Sequence, residues 1–500
     1  MADRVCSSCE SISAEHEQLV AFLNNGAGRP IPADKLIETH AAQIFLIGEY
    51  ALKIKKPVNL GYLDFSTLQK RQWALNRELE RNRRSAPDIY LKMASIRRAP
   101  EGALHLDGEG ALVDHVLVMR RFPDDALLSD NVELVCGEFA EKLGRLIARY
   151  HADAPIVQNA WTDGLTYALE TNASQLSRFE SLWGADEVQP LIAATRNAFA
   201  SCSGDIEKRA TDGFIRQCHG DLHLRNIFLS DGKPVLFDCI EFDDRLSDID
   251  VLYDLAFLVM DLLHANQSEG ANRLVNGYLD QALRSFGEEN LPGLALFPLY
   301  LSMRACVRAH VSAQMDRPED GRLYLREALN YLRKLEPSLM SVGGLSGTGK
   351  TTFARSHAPS IGSAPGAIVL RSDEIRKRLW GASPHERLPP AAYAKEENTR
   401  VYETMFEEAR QILRAGCAVI LDAVFLLPKE RDRCCRLAEE EGIDFQGYWL
   451  EAPTNILRRR IAARRNDASD SNIAVLEHQL KCDPGDLDWQ RVNSTEPLTP

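Results

Sequence analysis

Hydrophobic and polar positions change their period several times along this chain. Residues 43–55 place β-branched and aromatic side chains on either side of Gly48-Glu49, which predicts two short strands joined by a tight turn. Residues 68–84 lack Gly and Pro and are rich in Leu, Arg and Glu, the composition of a solvent-facing helix. Helical spacing recurs at 133–152, 172–183 and 190–199, so the chain after about residue 125 is expected to be mainly helical. A strand at 234–240 interrupts this run, and helices resume from 248 to about 335, ending near Pro337.

At Ser338 the rhythm changes. An apolar strand leads into a glycine-rich loop, a helix from Thr351, a strand at 367–370, a helix near 393–415 and a strand at 418–421. Such alternation implies a parallel sheet covered by helices. The pattern divides the chain into a segment 1–34 expected to be mobile or partly ordered, a region 35–335 whose sheet-bearing part ends near 125, and an α/β region 338–500.

Composition refines the picture. A chain of 500 residues exceeds what one core supports, and 45% hydrophobic with 26% charged residues is ordinary for globular domains. The net charge of −13 argues against a general nucleic-acid surface. Eleven scattered cysteines, with Cys434 and Cys435 adjacent, offer no disulfide framework, so a reducing cytoplasm is expected. Cys6 and Cys9 form a CxxC without the further ligands that zinc needs. Residues 1–20 have no apolar run for export, and the most apolar stretch, 251–265, carries Asp254, Asp261 and His264, so no membrane span is expected.

Two constellations carry chemistry. Gly344-Leu345-Ser346-Gly347-Thr348-Gly349-Lys350-Thr351, followed by Thr352, matches GxxxxGK[ST] between a strand and a helix. Glycines let backbone N–H groups turn inward around a phosphate, Lys350 reaches the β/γ oxygens, and the Thr351 hydroxyl can ligate Mg²⁺. Asp422 ends an apolar strand and is either a metal-side carboxylate or a strand cap. Asp373 follows a strand and opens a helix containing Arg376, so it is either a base for an attacking hydroxyl or a helix N-cap. Arg458, Arg459, Arg460, Arg464 and Arg465 form either a lid or a solvated face.

The other constellation is His219-Gly220-Asp221 with Asn226 five positions after the Asp, and Asp238 beyond the next strand. This spacing suits a base, Asp221, with Asn226 and Asp238 as two metal ligands. His219 reads as a loop-orienting residue and Asp254 as a brace, while His223 stays open between solvated, structural and functional roles. Upstream, Lys53 in Tyr50-Ala51-Leu52-Lys53 is the candidate phosphate lysine, with Lys55 on the same strand face and Glu78 as helix partner.

On these motifs, residues 35–335 resemble the aminoglycoside phosphotransferase-like branch of the protein-kinase-like fold. Residues 338–490 resemble small-molecule P-loop kinases related to gluconate kinase, with a likeness to zeta-toxin and polynucleotide kinases carried by Ser372-Asp373, Asp422-Ala423-Val424-Phe425 and Arg460 to Asp470. The whole chain looks like bacterial bifunctional proteins that fuse the two. The resemblance implies an α+β kinase-like domain before a three-layer α/β/α domain, with ATP and Mg²⁺ as cofactors and small-molecule hydroxyls as acceptors. It further implies Asp221 and Asp373 as bases, Arg376 and Arg431 on the substrate side, and Arg464 as a lid arginine.

Gly220 stands where many protein kinases carry Arg, and no APE follows Asp238, which favours a small-molecule kinase. No GxGxxG precedes Lys53. The alternative is therefore a non-catalytic nucleotide-binding module before one active P-loop kinase, with nucleotide sugars or nucleic-acid ends as further acceptor classes.

Overall fold

The computed structural model describes residues 7–59, 63–158, 161–463 and 469–495. The chain forms two compact units: Met1–Asn131 with Cys218–Asp248, and Val132–Gln217 with Ile249–Pro500. The change of pattern at 335–338 marks where the parallel sheet begins, but the division into units falls elsewhere.

In the first unit, β1 (Lys35–Glu38), β2 (Ala42–Ile47), β3 (Tyr50–Lys55), β4 (Tyr90–Arg98), β5 (Leu104–Leu106) and β6 (Ala111–Arg120) form an antiparallel sheet in the order β1-β2-β3-β6-β4-β5. The expected β2–β3 hairpin turns at Gly48, whose φ of 56° suits glycine. Side chains alternate across each strand. Phe45, Leu52 and Ile54 pack on one face with Leu19 and Leu23. Leu46 and Ala51 face the other way, onto Leu75 of α2 (Leu68–Asn82). Lys53 and Lys55 share this parity with Ala51, and α2 carries Glu78, buried like Ala74 and Leu75 rather than facing solvent.

Leu19 and Leu23 belong to α1 (Ser7–Asn24), an ordered helix within the segment 1–34. One face of the small sheet is apolar, and this helix supplies its cover. Residues 218–248 add a turn at Leu224–Asn226 and a hairpin of β7 (Ile227–Ser230) and β8 (Lys233–Leu236). The strand expected at 234–240 is shorter because the chain leaves extended geometry by Asp238, whose φ is 59°.

The second unit begins with helices α3 (Gly137–Ala152), α4 (Trp161–Arg178), α5 (Ala185–Ser201), α6 (Val251–His264), α7 (Ser268–Phe286), α8 (Phe297–Gln314) and α9 (Pro318–Tyr331). The apolar α6 is buried through most of its length. No helix among the described residues is long and apolar enough to cross a membrane. Helices α3 and α7 touch at glycines: a Cβ at Gly144 would lie 2.1 Å from Leu274 O, and one at Gly277 2.4 Å from Glu141 O. Only glycine permits that backbone approach.

The parallel sheet follows, from β9 (Ser338–Gly344), β10 (Ile368–Arg371), β11 (Val419–Asp422), β12 (Asp444–Glu451) and β13 (Gln490–Asn493), in the order β10-β11-β9-β12-β13. Its helices are α10 (Lys350–His357), α11 (Ser372–Leu379), α12 (Lys395–Arg414), α13 (Pro428–Glu441), α14 (Thr454–Ala463) and α15 (Ile473–Gln479). The fold class is a protein-kinase-like α+β domain followed by a three-layer α/β/α P-loop domain. At the edge strand β10, Val369 N–H donates to Asn276 Oδ1 of α7 at 2.7 Å, and Asn272 Nδ2 donates to Ala367 O at 3.0 Å.

Candidate functional sites

Each compact unit holds the central residues of one constellation. In the first, Lys53 Nζ donates to Glu78 Oε1 at 2.6 Å and to Asp238 Oδ1 at 2.8 Å. Lys55 does not lie on the surface: its Nζ is 2.7 Å from Glu78 Oε2 and 2.5 Å from Glu241 Oε1. Glu78 thus bridges two buried lysines. Burial disfavours charge on both lysines, but the surrounding carboxylates more than offset it and raise both ammonium groups above the usual lysine range. The Asp238 side chain keeps solvent access, yet the protein atoms crowded around it oppose its charge, and Lys53 outweighs this and holds its carboxyl below the usual value.

The loop before β7 is wired through its backbone. His219, fully buried, meets Phe237 O through Nε2 at 2.8 Å and accepts Asp221 N–H through Nδ1 at 3.3 Å, contacts that suit the Nε2-protonated ring. Asn226 Nδ2 donates to Asp221 O and Oδ2, each at 2.9 Å. His223 Nε2 lies 3.3 Å from Asp221 Oδ2, which places it beside the candidate base. Asp254 lies in the other unit, where its Oδ2 meets His151 Nε2 at 3.1 Å. Hard oxygen donors suit Mg²⁺. Asn226 commits its amide nitrogen to Asp221, leaving its oxygen as a donor, and the Asp238 side chain is 44% exposed, so the pair fits such an ion.

In the second unit the glycine loop has its expected form, with φ of 139°, 87° and 88° at Gly344, Gly347 and Gly349. A Cβ at Gly344 would lie 2.5 Å from Leu450 O, so the loop needs glycine there. Gly349 caps α10, and its left-handed backbone directs the chain into that helix. Lys350 Nζ donates to Gly344 O and Leu345 O at 2.9 and 3.1 Å. Thr351 Oγ1 donates to Asp422 Oδ2 at 2.6 Å, so strand β11 delivers its carboxylate to the first turn of α10. This hydroxyl and carboxylate suit Mg²⁺. Beside the loop lies an open cavity of ≈ 710 Å³ whose lining includes Leu345, Thr348, Trp449, Leu480 and Arg491, large enough for a nucleoside.

Asp373 lies in the first turn of α11. Burial pushes its carboxyl up and Asp422 adds to this, while Arg371, Ser469 and Arg376 oppose it. Arg376 donates to Ala392 O at 2.7 Å and lies 4.9 Å from the Tyr393 ring centroid. Arg431 gives its guanidinium to four carbonyls, those of Phe425, Leu426, Pro484 and Asp486, between 2.6 and 3.0 Å. Both arginines therefore shape loops in this geometry. Arg460 donates to Ser494 O and Arg458 to Glu477, whereas Arg464, Arg465 and Cys6 lie outside the described residues.

Sequence reasoning missed Glu241, Arg371 and Gln479. Arg371 Nε lies 3.4 Å from Asp422 Oδ2, and Gln479 accepts the Ser346 N–H at 2.9 Å. The signal for Arg371 was available, since it stands at the carboxyl end of a strand directly before Ser372-Asp373.

Comparison with known proteins matches a separate family to each constellation. Residues 65–294 match the family described as "Phosphotransferase enzyme family", and residues 339–482 match that described as "AAA domain". A kinase-like phosphotransferase domain followed by a P-loop kinase domain defines the chain as a kinase. It is 31% identical over 455 residues to the uncharacterised protein Rv2004c of Mycobacterium tuberculosis, covering 88% of each chain, and it belongs to the same family. Over 120 residues it is 33% identical to the adenylyl-sulfate kinase of Myxococcus xanthus, covering 23% of this chain and 59% of that one. Among solved structures, a choline/ethanolamine kinase family protein from Mesorhizobium loti is 14% identical, covering 64% of this chain and 93% of that one, with a TM-score of 0.36.

Proposed function

We propose that this kinase transfers phosphate from ATP to small-molecule hydroxyls at two sites, with Asp221 as base in region 35–335 and Asp373 as base in region 338–500. The observation that supports the reading is that each compact unit carries a candidate base, an oxygen pair suited to a metal and a candidate phosphate lysine.

At the P-loop site, Lys350 and the N–H groups of residues 344–352 bind the phosphates, and burial makes Asp373 a stronger base for an acceptor proton. At the other site, Lys53 is oriented by Glu78, and Asn226 and His223 orient Asp221. Mg²⁺, held by Thr351 with Asp422 and by Asn226 with Asp238, would neutralise phosphate charge when bound. Arg464 is taken as a lid residue, and Arg376 and Arg431 act near the acceptor by holding its loops. Buried, unpaired thiols such as Cys239, Cys306 and Cys434 suit a cytoplasmic setting.

One observation favours a second reading of the first site. The β2–β3 turn is only Gly48-Glu49, too short to cover phosphates as a glycine-rich loop does. On that reading the first unit binds nucleotide and regulates, and only the P-loop site transfers phosphate.

Mass spectrometry of a metabolite extract incubated with ATP separates the two. The two-site reading expects one phosphorylated product lost only in Asp221→Asn and another only in Asp373→Asn. Loss of every product in Asp373→Asn alone supports the regulatory reading. If both variants keep every product, neither aspartate is the base.

A further inference from the structure

Helix α3 lies within the residues that match the phosphotransferase family, yet its charged side chains reach the P-loop region inside one compact unit. Glu141 Oε1 is 2.5 Å from Arg355 Nη2, on the helix α10 that begins with Lys350 and Thr351. One turn along α3, Arg145 Nη2 is 3.6 Å from Glu374 Oε1, next in sequence to Asp373. Glu374 also accepts from Arg371 Nη1 at 2.8 Å, and the same guanidinium approaches Asp422.

The chain of ion pairs is anchored. Burial works against charge on Glu374, but Arg371, Arg355 and Arg145 overcome it and hold the carboxyl down at about 2. Arg145 Nε donates to Asp280 Oδ2 of α7 at 3.1 Å, and the glycine contacts at Gly144 and Gly277 lock α3 against α7. Buried ion pairs add little net stability because desolvation offsets their attraction, whereas their geometry can fix one arrangement of the groups they join.

We propose that Glu141 and Arg145 are positioning residues for the P-loop site, holding the helix that presents Lys350 and Thr351 and the helix that presents Asp373. The kinase-like region thereby completes the neighbouring site. The inference rests on the P-loop site binding nucleotide and metal as proposed above.

The test uses the full chain carrying Lys53→Met, with Mn²⁺ and ADP as probes and electron paramagnetic resonance as readout. Signal from the P-loop site is the part that a further Lys350→Met removes. Glu141→Gln and Arg145→Met are each expected to weaken Mn²⁺·ADP binding at that site about tenfold, as loss of an outer partner of a metal site does, and to change the line shape of the bound ion. Arg145→Lys should recover most of the affinity. A purely structural defect would lower the occupied fraction together with the folded fraction and leave the line shape unchanged, and that result overturns the inference. So does unchanged affinity in both variants while Lys350→Met abolishes binding. If Lys350→Met removes none of the signal, the P-loop reading falls and the inference falls with it.

Discussion

Glu78 meets both Lys53 and Lys55, at 2.6 and 2.7 Å, so replacing either lysine leaves it one cation. The partners on the far sides differ. Lys53 also holds Asp238, whose side chain is 44% exposed, and water can take over solvation of that carboxylate. Lys55 also holds Glu241, whose side chain is only 8% exposed and has no such recourse. Breaking a buried pair by removing one partner costs about 3–5 kcal/mol, whereas an exposed pair is worth about 1 kcal/mol or less. Lys55→Met should therefore destabilise the first unit by about 3 kcal/mol more than Lys53→Met, while Lys53→Met has the larger effect on nucleotide binding. Hydrogen exchange followed by mass spectrometry, on peptides from β3 and α2, reads the local opening free energy in each variant. Equal or greater loss of protection in Lys53→Met would refute the argument that solvent access at Asp238 decides the difference.

Two further outcomes follow from burial. Leu23, fully buried beneath the small sheet, should cost about 2–5 kcal/mol when changed to Ala, read as faster exchange in β2 and β3. Unchanged exchange there would return α1 to the status of a solvated appendage. Burial pushes Glu408 up to about 7 despite the pull of Arg378. A folded carboxyl titrating above its unfolded value of 4.5 binds protons that the unfolded chain has released, so stability falls as pH rises from about 4.5 to about 7 and then levels. Urea midpoints at several pH values should show a shallower fall in Glu408→Gln, and an identical fall would exclude Glu408 as its source.

What the sequence revealed was local. The glycine loop is contiguous, and Asp221, Asn226 and Asp238 fall within eighteen residues (221 to 238), so both constellations were legible before any packing was known. Helix α1 was missed because its buried stripe is narrow: Leu19 and Leu23 are one turn apart among charged positions that read as solvated. The substrate-side place of Arg431 came from the family resemblance, whereas its hold on the loop at Pro484 and Asp486, more than fifty residues later, was not legible. Glu141 and Arg145 carry no motif. Their P-loop-side partners, Arg355 and Glu374, are over two hundred residues away, and only the folded unit brings the groups together.

The bond from Val369 N–H to Asn276 carries a consequence for any attempt to cut the P-loop region from the kinase-like region. Strand β10 ends its sheet, and an uncapped outer strand offers a ready template for pairing with another chain. Cutting between residues 335 and 338 would strip Asn272 and Asn276 from that strand and bare its outward amides. An excised P-loop fragment should then self-associate through β10 even when its own fold is intact. The joined chain thus carries its own guard against self-association, in which a helix of the kinase-like region plugs the open end of the P-loop sheet.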